Sequence, residues 1–175
     1  TADAARDPAT DPDSLKALAK DYPRLVAANP GASIDLLASL VPRCSDEVAG
    51  NPAVELGLLV GENILQPLPT YKWGYLLASP FAPEGLLTLA AETITRQSRY
   101  EVTAVRGLLA NPRTPGPVIE ALHEYVRRLK GVDEAIPLTE VRRHRNHPKS
   151  SAPADARQAL EKILATGTFA VTGEC

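Results

Sequence analysis

A chain of 175 residues with 21 acidic and 19 basic side chains carries a formal net charge of −2. Its 44% apolar share is that of a soluble globular domain, long enough to bury about 70% of its unfolded surface, so no disulfide or metal staple is required. Two cysteines, Cys44 and Cys175, fall short of the four ligands of a structural zinc site or an iron–sulfur cluster. The longest near-apolar run, Leu56 to Val60, is far below the about 20 residues that cross a bilayer.

No signal peptide is visible, so cytoplasmic residence is the expectation. The chain holds no methionine, initiator included, which suggests a processed form or a fragment. Leu, Ala and Val dominate the apolar residues and aromatics reach only 5%, a composition that favours helix over strand. Sixteen prolines set among leucines imply many short helices, because Pro breaks a helix interior but suits its first turn.

In chain order, prolines mark joints at Asp7-Pro8, Asn29-Pro30, Asn51-Pro52, Ser79-Pro80, Asn111-Pro112 and Asn146-His147-Pro148. Successive joint prolines lie 22, 22, 28, 32 and 36 residues apart, a period that starts tight and lengthens. A residue before Pro is driven out of the α region, which stops the preceding helix. Asn or Asp at that place can bond the backbone groups freed by the stop. Asp11 is the predicted N-cap of a helix with Pro12 at its first position, Ser33 caps a helix from Ile34, and Thr114-Pro115 repeats the device.

Leu-rich segments follow the joints, at Leu15 to Ala19, Leu36 to Leu40, Leu86 to Ala90 and Val118 to Leu122. Each unit therefore reads as a short helix, a sharp joint and a longer amphipathic helix. One such unit has too little core to stand alone, so units must stack. A last helix over about 153–166 is expected to cap the stack, with the residues after it frayed. Gly57 and Gly61 suggest a close helix–helix approach within the stack. Tyr71, Trp73 and Tyr75 spread around about two-thirds of a helix, so at least one is exposed. They serve either as filler of an irregular core or as interface anchors.

These joints resemble those of the leucine-rich repeat variant family of bacterial α-solenoids, in which a short unit pairs an α-helix with a shorter, 3₁₀-like helix. Asp7-Pro8-Ala9-Thr10, Leu15 to Ala19, Val26 to Pro30 and Val48 to Pro52 carry the resemblance, which returns in Val105 to Leu122 around Asn111-Pro112-Arg113-Thr114-Pro115. Between Ile64 and Arg99 the units lengthen toward HEAT-like hairpins. The resemblance implies an all-α fold, a right-handed HEAT/ARM-like solenoid forming a single domain over 1–175. Its repeats would be regular over about 6–60 and irregular over about 61–150. It also implies a binding scaffold rather than a fixed activity.

Motifs with catalytic or metal chemistry are weak. Glu120 and His123 have a di-iron spacing without the second copy and the two further Glu residues that chemistry needs. His144 and His147 stand among Arg142, Arg143 and Arg145, whose charge repels a metal cation. Asp7, Asp11 and Asp13 lack the Gly and terminal Glu of a calcium loop and read better as helix caps. No phosphate loop, dinucleotide fingerprint or nucleophile elbow is present. The expectation is a non-enzymatic protein without cofactor or metal.

Charge asymmetry is the one surface signal. Residues 1–70 hold 10 acidic and 5 basic side chains, whereas residues 96–149 hold 11 basic and 6 acidic ones. The basic half contains Arg127, Arg128 and Lys130, then Arg142, Arg143, Arg145 and Lys149. Three readings compete for it: a solvated helix face, a site for an acidic protein or peptide, and contact with a nucleic-acid backbone. The isoelectric point near 5.9 weighs against the last. Tyr125 beside the first run could stack on a base or belong to the core. The candidate partner contacts are these seven cations with Tyr125 and Trp73. The favoured partner is a protein or peptide, nucleic acid is the alternative, and no membrane is expected.

Overall fold

A computed structural model of the chain describes residues 1–96, 102–128, 138–144 and 146. Ten helices and no strand occur among the described residues: α1 (Ala2–Arg6), α2 (Pro12–Leu18), α3 (Pro23–Ala27), α4 (Ile34–Ala49), α5 (Pro52–Val60), α6 (Thr70–Leu77), α7 (Glu84–Arg96), α8 (Val102–Ala110), α9 (Gly116–Arg128) and α10 (Leu138–Arg143). None of them is long and apolar enough to cross a membrane. The expected capping helix over 153–166 lies outside the described residues.

The caps follow the chemistry of the preceding residues. Asp11 accepts the Ser14 N–H at 3.0 Å with Pro12 in the first turn of α2, and the bonds with Ser14 hold its carboxyl below the usual range. Ser33 caps α4 through the Leu36 N–H at 3.4 Å. Thr114 does not cap α9. Pro115 takes the cap position, its carbonyl accepting from Ile119 N, while the buried Thr114 hydroxyl turns back and donates to Leu108 O at 2.6 Å. Thr10 makes the same bond to Ala4 O. A threonine three residues past a joint therefore closes the helix before it.

Pro42 sits inside α4 and cannot donate a helical N–H, which bends the helix. The bend falls at Cys44 (φ −143°, ψ 46°), so α4 combines a long helix with a short one leading into the Asn51 joint. Cys44 is buried there, as its residue type suggested. Burial, aided by the nearby Glu47 charge, pushes its thiol up. Gly61 ends α5 at φ 84°, a left-handed stop that glycine adopts without a Cβ penalty. Of the two glycines expected to pack closely, Gly61 is a helix exit with open space around it. Gly57 does stand close to a neighbouring helix, a Cβ there lying 3.2 Å from Ile34 Cδ1 of α4. A Cβ on Gly57 would stand 2.7 Å from Glu62 O, in the chain's own outgoing turn.

Two series of neighbour contacts organise the chain. One runs α1 to α3, α3 to α4, α4 to α6 and α6 to α8; the other runs α5 to α7 and α7 to α9, with α10 on α9. Between them lies one apolar cluster that includes Leu15, Val26, Leu37, Val48, Ile64, Leu77, Leu87, Leu108 and Ile119. The Leu-rich segments named from sequence supply much of this core.

What ties one unit to the next is polar. At each joint the Asx or Ser side-chain oxygen accepts the N–H two residues on, as in Ala9 N on Asp7, Gly31 N on Asn29, Ala53 N on Asn51, Phe81 N on Ser79 and Arg113 N on Asn111. The joint carbonyl accepts the N–H three residues on, at 3.0–3.2 Å in all five cases. This is the turn that Pro at its second position and Asn, Asp or Ser at its first favour.

The asparagines then reach backward. Asn29 Nδ2 donates to Ala5 O and Asp7 O, Asn51 Nδ2 to Ala27 O and Asn29 O, and Asn111 Nδ2 to Leu77 O and Ser79 O. Every distance lies between 2.6 and 2.9 Å. Carbonyls at a helix C-terminus lack partners within their own helix. Each joint asparagine therefore caps the short helix of the unit before it. The result is a set of buried amide rungs at Asn29, Asn51 and Asn111, interrupted at Ser79, whose hydroxyl accepts the Phe81 N–H.

The sixth rung departs from the sequence reading. It was expected at Asn146-His147-Pro148, of which Asn146 alone is described. His144 occupies the rung: its Nδ1 accepts the Asn146 N–H at 3.2 Å, and its Nε2 faces Asn111 O at 3.1 Å. With Nδ1 accepting, the proton sits on Nε2 and is donated to that carbonyl. Asn146 Nδ2 adds lateral bonds to Pro112 O and Thr114 O. His144→Asn should keep both rung bonds and leave stability unchanged or raised. His144→Ala should cost about 1 kcal/mol. Chemical denaturation of the two variants compares them directly.

Candidate partner-binding surface

The most structured surface lies where α6 crosses α8. On α6, Trp73, Leu76 and Leu77 are buried, and the opposite face carries Tyr71, Gly74, Tyr75 and Ala78, at the three- and four-residue spacing of one helix face. On α8, Ala104, Val105 and Leu108 face the core. Thr103, Arg106, Gly107 and Ala110 line a groove shared with the α6 face, with a volume of about 330 Å³. Tyr71 and Tyr75 are 60% and 59% exposed, and Lys72 Nζ lies 5.8 Å from the Tyr71 ring centroid.

The floor of this groove is bare backbone. A Cβ on Gly107 would lie 2.7 Å from Gly74 O and 2.8 Å from Gly74 Cα, and one on Gly74 would lie 2.5 Å from Thr103 O. Only two glycines allow this approach, and it leaves the tyrosines standing above a shallow, small-residue base.

A second hollow of about 440 Å³ adjoins the preceding joint. Ala28, Asp46, Glu47 and Gly50 line it together with Phe81, which is 58% exposed. Glu47 pairs with Arg24 at 3.4 Å. Elsewhere, Leu56, Leu59 and Val60 form an exposed apolar face on α5. A larger hollow of about 730 Å³ between α2 and α4 mixes Lys16, Lys20 and Arg43 with Asp13 and Asp35.

The cations named from sequence fare differently. Arg127 is drawn onto Glu124, at 3.1 Å through Nε and 2.7 Å through Nη2, and this bond holds the Glu124 carboxyl below its usual range. Arg128 Nε donates to Glu124 O at 3.3 Å. Arg142 Nε donates to His123 Nε2 at 3.3 Å, which brings α10 to α9 one turn before Arg127. Arg143 is exposed. Lys130, Arg145 and Lys149 lie outside the described residues, as does His147. Trp73 and Tyr125 are corrected as contact candidates, because both are buried. Trp73 directs its Nε1 inward to Leu68 O at 3.0 Å. No group of three or more His, Cys, Asp or Glu side chains suited to a metal ion occurs among the described residues.

Sequence reasoning passed over Arg106, Phe81, Gly74 and Gly107, and of the aromatic cluster it chose Trp73 and left out Tyr71 and Tyr75. The joint register does not mark the two glycines, since Gly74 precedes Ser79 by five residues and Gly107 precedes Asn111 by four. Comparison with family models, curated proteins and solved structures finds no match to this chain.

Proposed function

We propose that the chain is a non-enzymatic protein-interaction scaffold, an α-solenoid of the leucine-rich repeat variant kind, that holds a segment of a partner protein in the α6–α8 groove. One observation carries this reading: two tyrosines more than half exposed, four residues apart, above a groove floored by Gly74, Ala78, Gly107 and Ala110. Tyrosine supplies a large, rigid contact area at low entropic cost and is enriched among interface anchors. The recurrence of the same backward amide bonds at Asn29, Asn51 and Asn111 supports the solenoid part of the reading.

Phosphate-backbone contact is the alternative. It keeps Arg142 and Arg143 as exposed cations, but Arg127 is neutralised by Glu124 and the two buried aromatics offer no stacking face.

Peptides selected on the wild-type protein from a random display library provide the test. Replacing both Tyr71 and Tyr75 by alanine should weaken their binding at least about tenfold. Stability should change by no more than about 0.5 kcal/mol, as for exposed sites generally. Titration calorimetry and thermal melts read the two quantities separately, and binding that survives the double substitution would refute the groove.

A further inference from the structure

The acidic N-terminal region gathers most of its cations in one place. Residues 1–70 hold five basic side chains against ten acidic ones. Three of the five, Lys16, Lys20 and Arg43, line the hollow of about 730 Å³ between α2 and α4, and all three are exposed. The ion pairs among the described residues take up Arg24, Arg96, His123 and Arg127 and none of these three. Arg43 also borders the smaller hollow that Asp21 lines, without pairing with it. Lys16 and Lys20, four residues apart, repel each other, and a concave site lined by one sign of charge focuses its field.

The two helices set the polarity of this hollow. Their caps, Asp11 and Ser33, each lie four residues past a joint. Asn29 Nδ2 bonds Asp7 O at 2.9 Å, so α2 and α4 start side by side and line the hollow in the same direction. α2 packs on α1 and α3, whereas the later steps α5 to α7 and α7 to α9 pack helix on helix. Asp13 and Asp35 occupy the first turns, where the helix dipole favours a carboxylate. Lys20 and Arg43 lie seven and eight residues further on, roughly 10–12 Å along the axes. The hollow therefore has an acidic end and a basic end, with Lys16 between them. Ser39, also in its wall, donates its hydroxyl proton to Leu36 O at 2.6 Å, which leaves its lone pairs to accept from a ligand.

We infer that this hollow is a second binding site, separate from the tyrosine groove, for a small phosphate monoester whose body carries hydroxyl or ammonium donors. The phosphate lies among Lys16, Lys20 and Arg43, and the donors meet Ser39, Asp13 and Asp35. A monoester carries roughly 1.5–2 negative charges at neutral pH and matches three unpaired cations better than a single carboxylate does. A nucleic-acid strand fits worse, because its further phosphates would run onto Asp13 and Asp35. The volume is that of a small-molecule pocket, about 300–1,000 Å³.

Glucose 6-phosphate and a pentapeptide with a central phosphoserine, each titrated into the isotope-labelled full chain at constant ionic strength, test the site by amide chemical shifts. The shifts should saturate with a Kd below about 1 mM and cluster in residues 12–20 and 33–43. Glucose and the unphosphorylated peptide should bind at least about tenfold more weakly. Lys20→Gln/Arg43→Gln should weaken binding about tenfold and Lys20→Glu/Arg43→Glu should abolish it, with thermal melts establishing that both variants fold. Lys72→Glu and Tyr71→Ala/Tyr75→Ala, outside the hollow, should leave it unchanged.

Saturation by the sugar phosphate alone would identify a metabolite, and by the peptide alone a phosphorylated partner; either supports the site. Failure of both to saturate by about 10 mM, shifts outside the two helices, or equal weakening by Lys72→Glu would overturn it. A response to inorganic sulfate equal to that of both esters would reduce the site to an adventitious ion only. Oligouridine binding more tightly than either ester at the same amides would overturn the monoester in favour of nucleic acid.

Discussion

Replacing Asn111 by alanine is expected to lower stability by about 3 kcal/mol, the loss reserved for a buried amide with several backbone partners. Its side chain is fully buried. Nδ2 bonds Leu77 O at 2.8 Å and Ser79 O at 2.6 Å, and Oδ1 accepts the Arg113 N–H at 2.8 Å. Ser79 O keeps the Ala82 N–H as a second partner, so the larger share of the penalty falls at Leu77 O, the final carbonyl of α6. Urea denaturation followed by far-ultraviolet circular dichroism measures the change.

Asn111→Asp sharpens the test. An aspartate keeps the acceptor for Arg113 N–H but turns an oxygen toward two carbonyls, so it should be at least as damaging as alanine at neutral pH. At position 7 the opposite holds. Asp7 uses its side chain only to accept the Ala9 N–H and reaches no earlier joint among the described residues. Exchange to asparagine there should leave stability unchanged within about 0.5 kcal/mol. Equal tolerance of Asp at positions 7 and 111 would show that the rungs do not contribute as described.

Gly107→Ala is expected to destabilise by about 2 kcal/mol, even though alanine is the better helix former by about 1 kcal/mol. The added methyl would meet the Gly74 backbone at 2.7 and 2.8 Å. Backbone cannot swing aside as a side-chain tip can, so α6 and α8 must separate. The groove between Tyr71 and Arg106 then changes shape, and binding of wild-type-selected peptides should fall with stability. Gly85→Ala is the control. Its Cβ would meet only Leu58 Cδ1, at 3.5 Å, an ordinary contact, so the helix-propensity gain should prevail and the melting temperature should hold or rise.

The joints illustrate how far local rules extend. Asn-Pro and Asp-Pro stop helices for reasons confined to a few neighbouring atoms, and five of the six joints stand where the prolines put them. His144 escaped because it carries no proline and resembles asparagine only in function. Its ring places an acceptor and a donor where Oδ1 and Nδ2 lie at the other rungs. The basic stretch was legible only as composition. Charge summed along a sequence ignores local pairing, and Glu124, three residues before Arg127, takes up that cation within one helical turn.

Sequence by itself determined that this chain is helical, where its short helices end, and which leucines meet in the core. Those properties depend on backbone sterics and on a hydrophobic period, both set by residues close together in the chain. Tertiary structure alone decided what the joint amides hold and where a groove opens. The carbonyls that Asn29 and Asn51 reach lie 22 and 24 residues away, and those reached by Asn111 lie 32 and 34 away. Gly74 and Gly107, 33 residues apart, bring two helices into backbone contact that neither helix encodes alone. Tyr71 and Tyr75 face outward because Trp73, between them in sequence, found its hydrogen-bond partner inside.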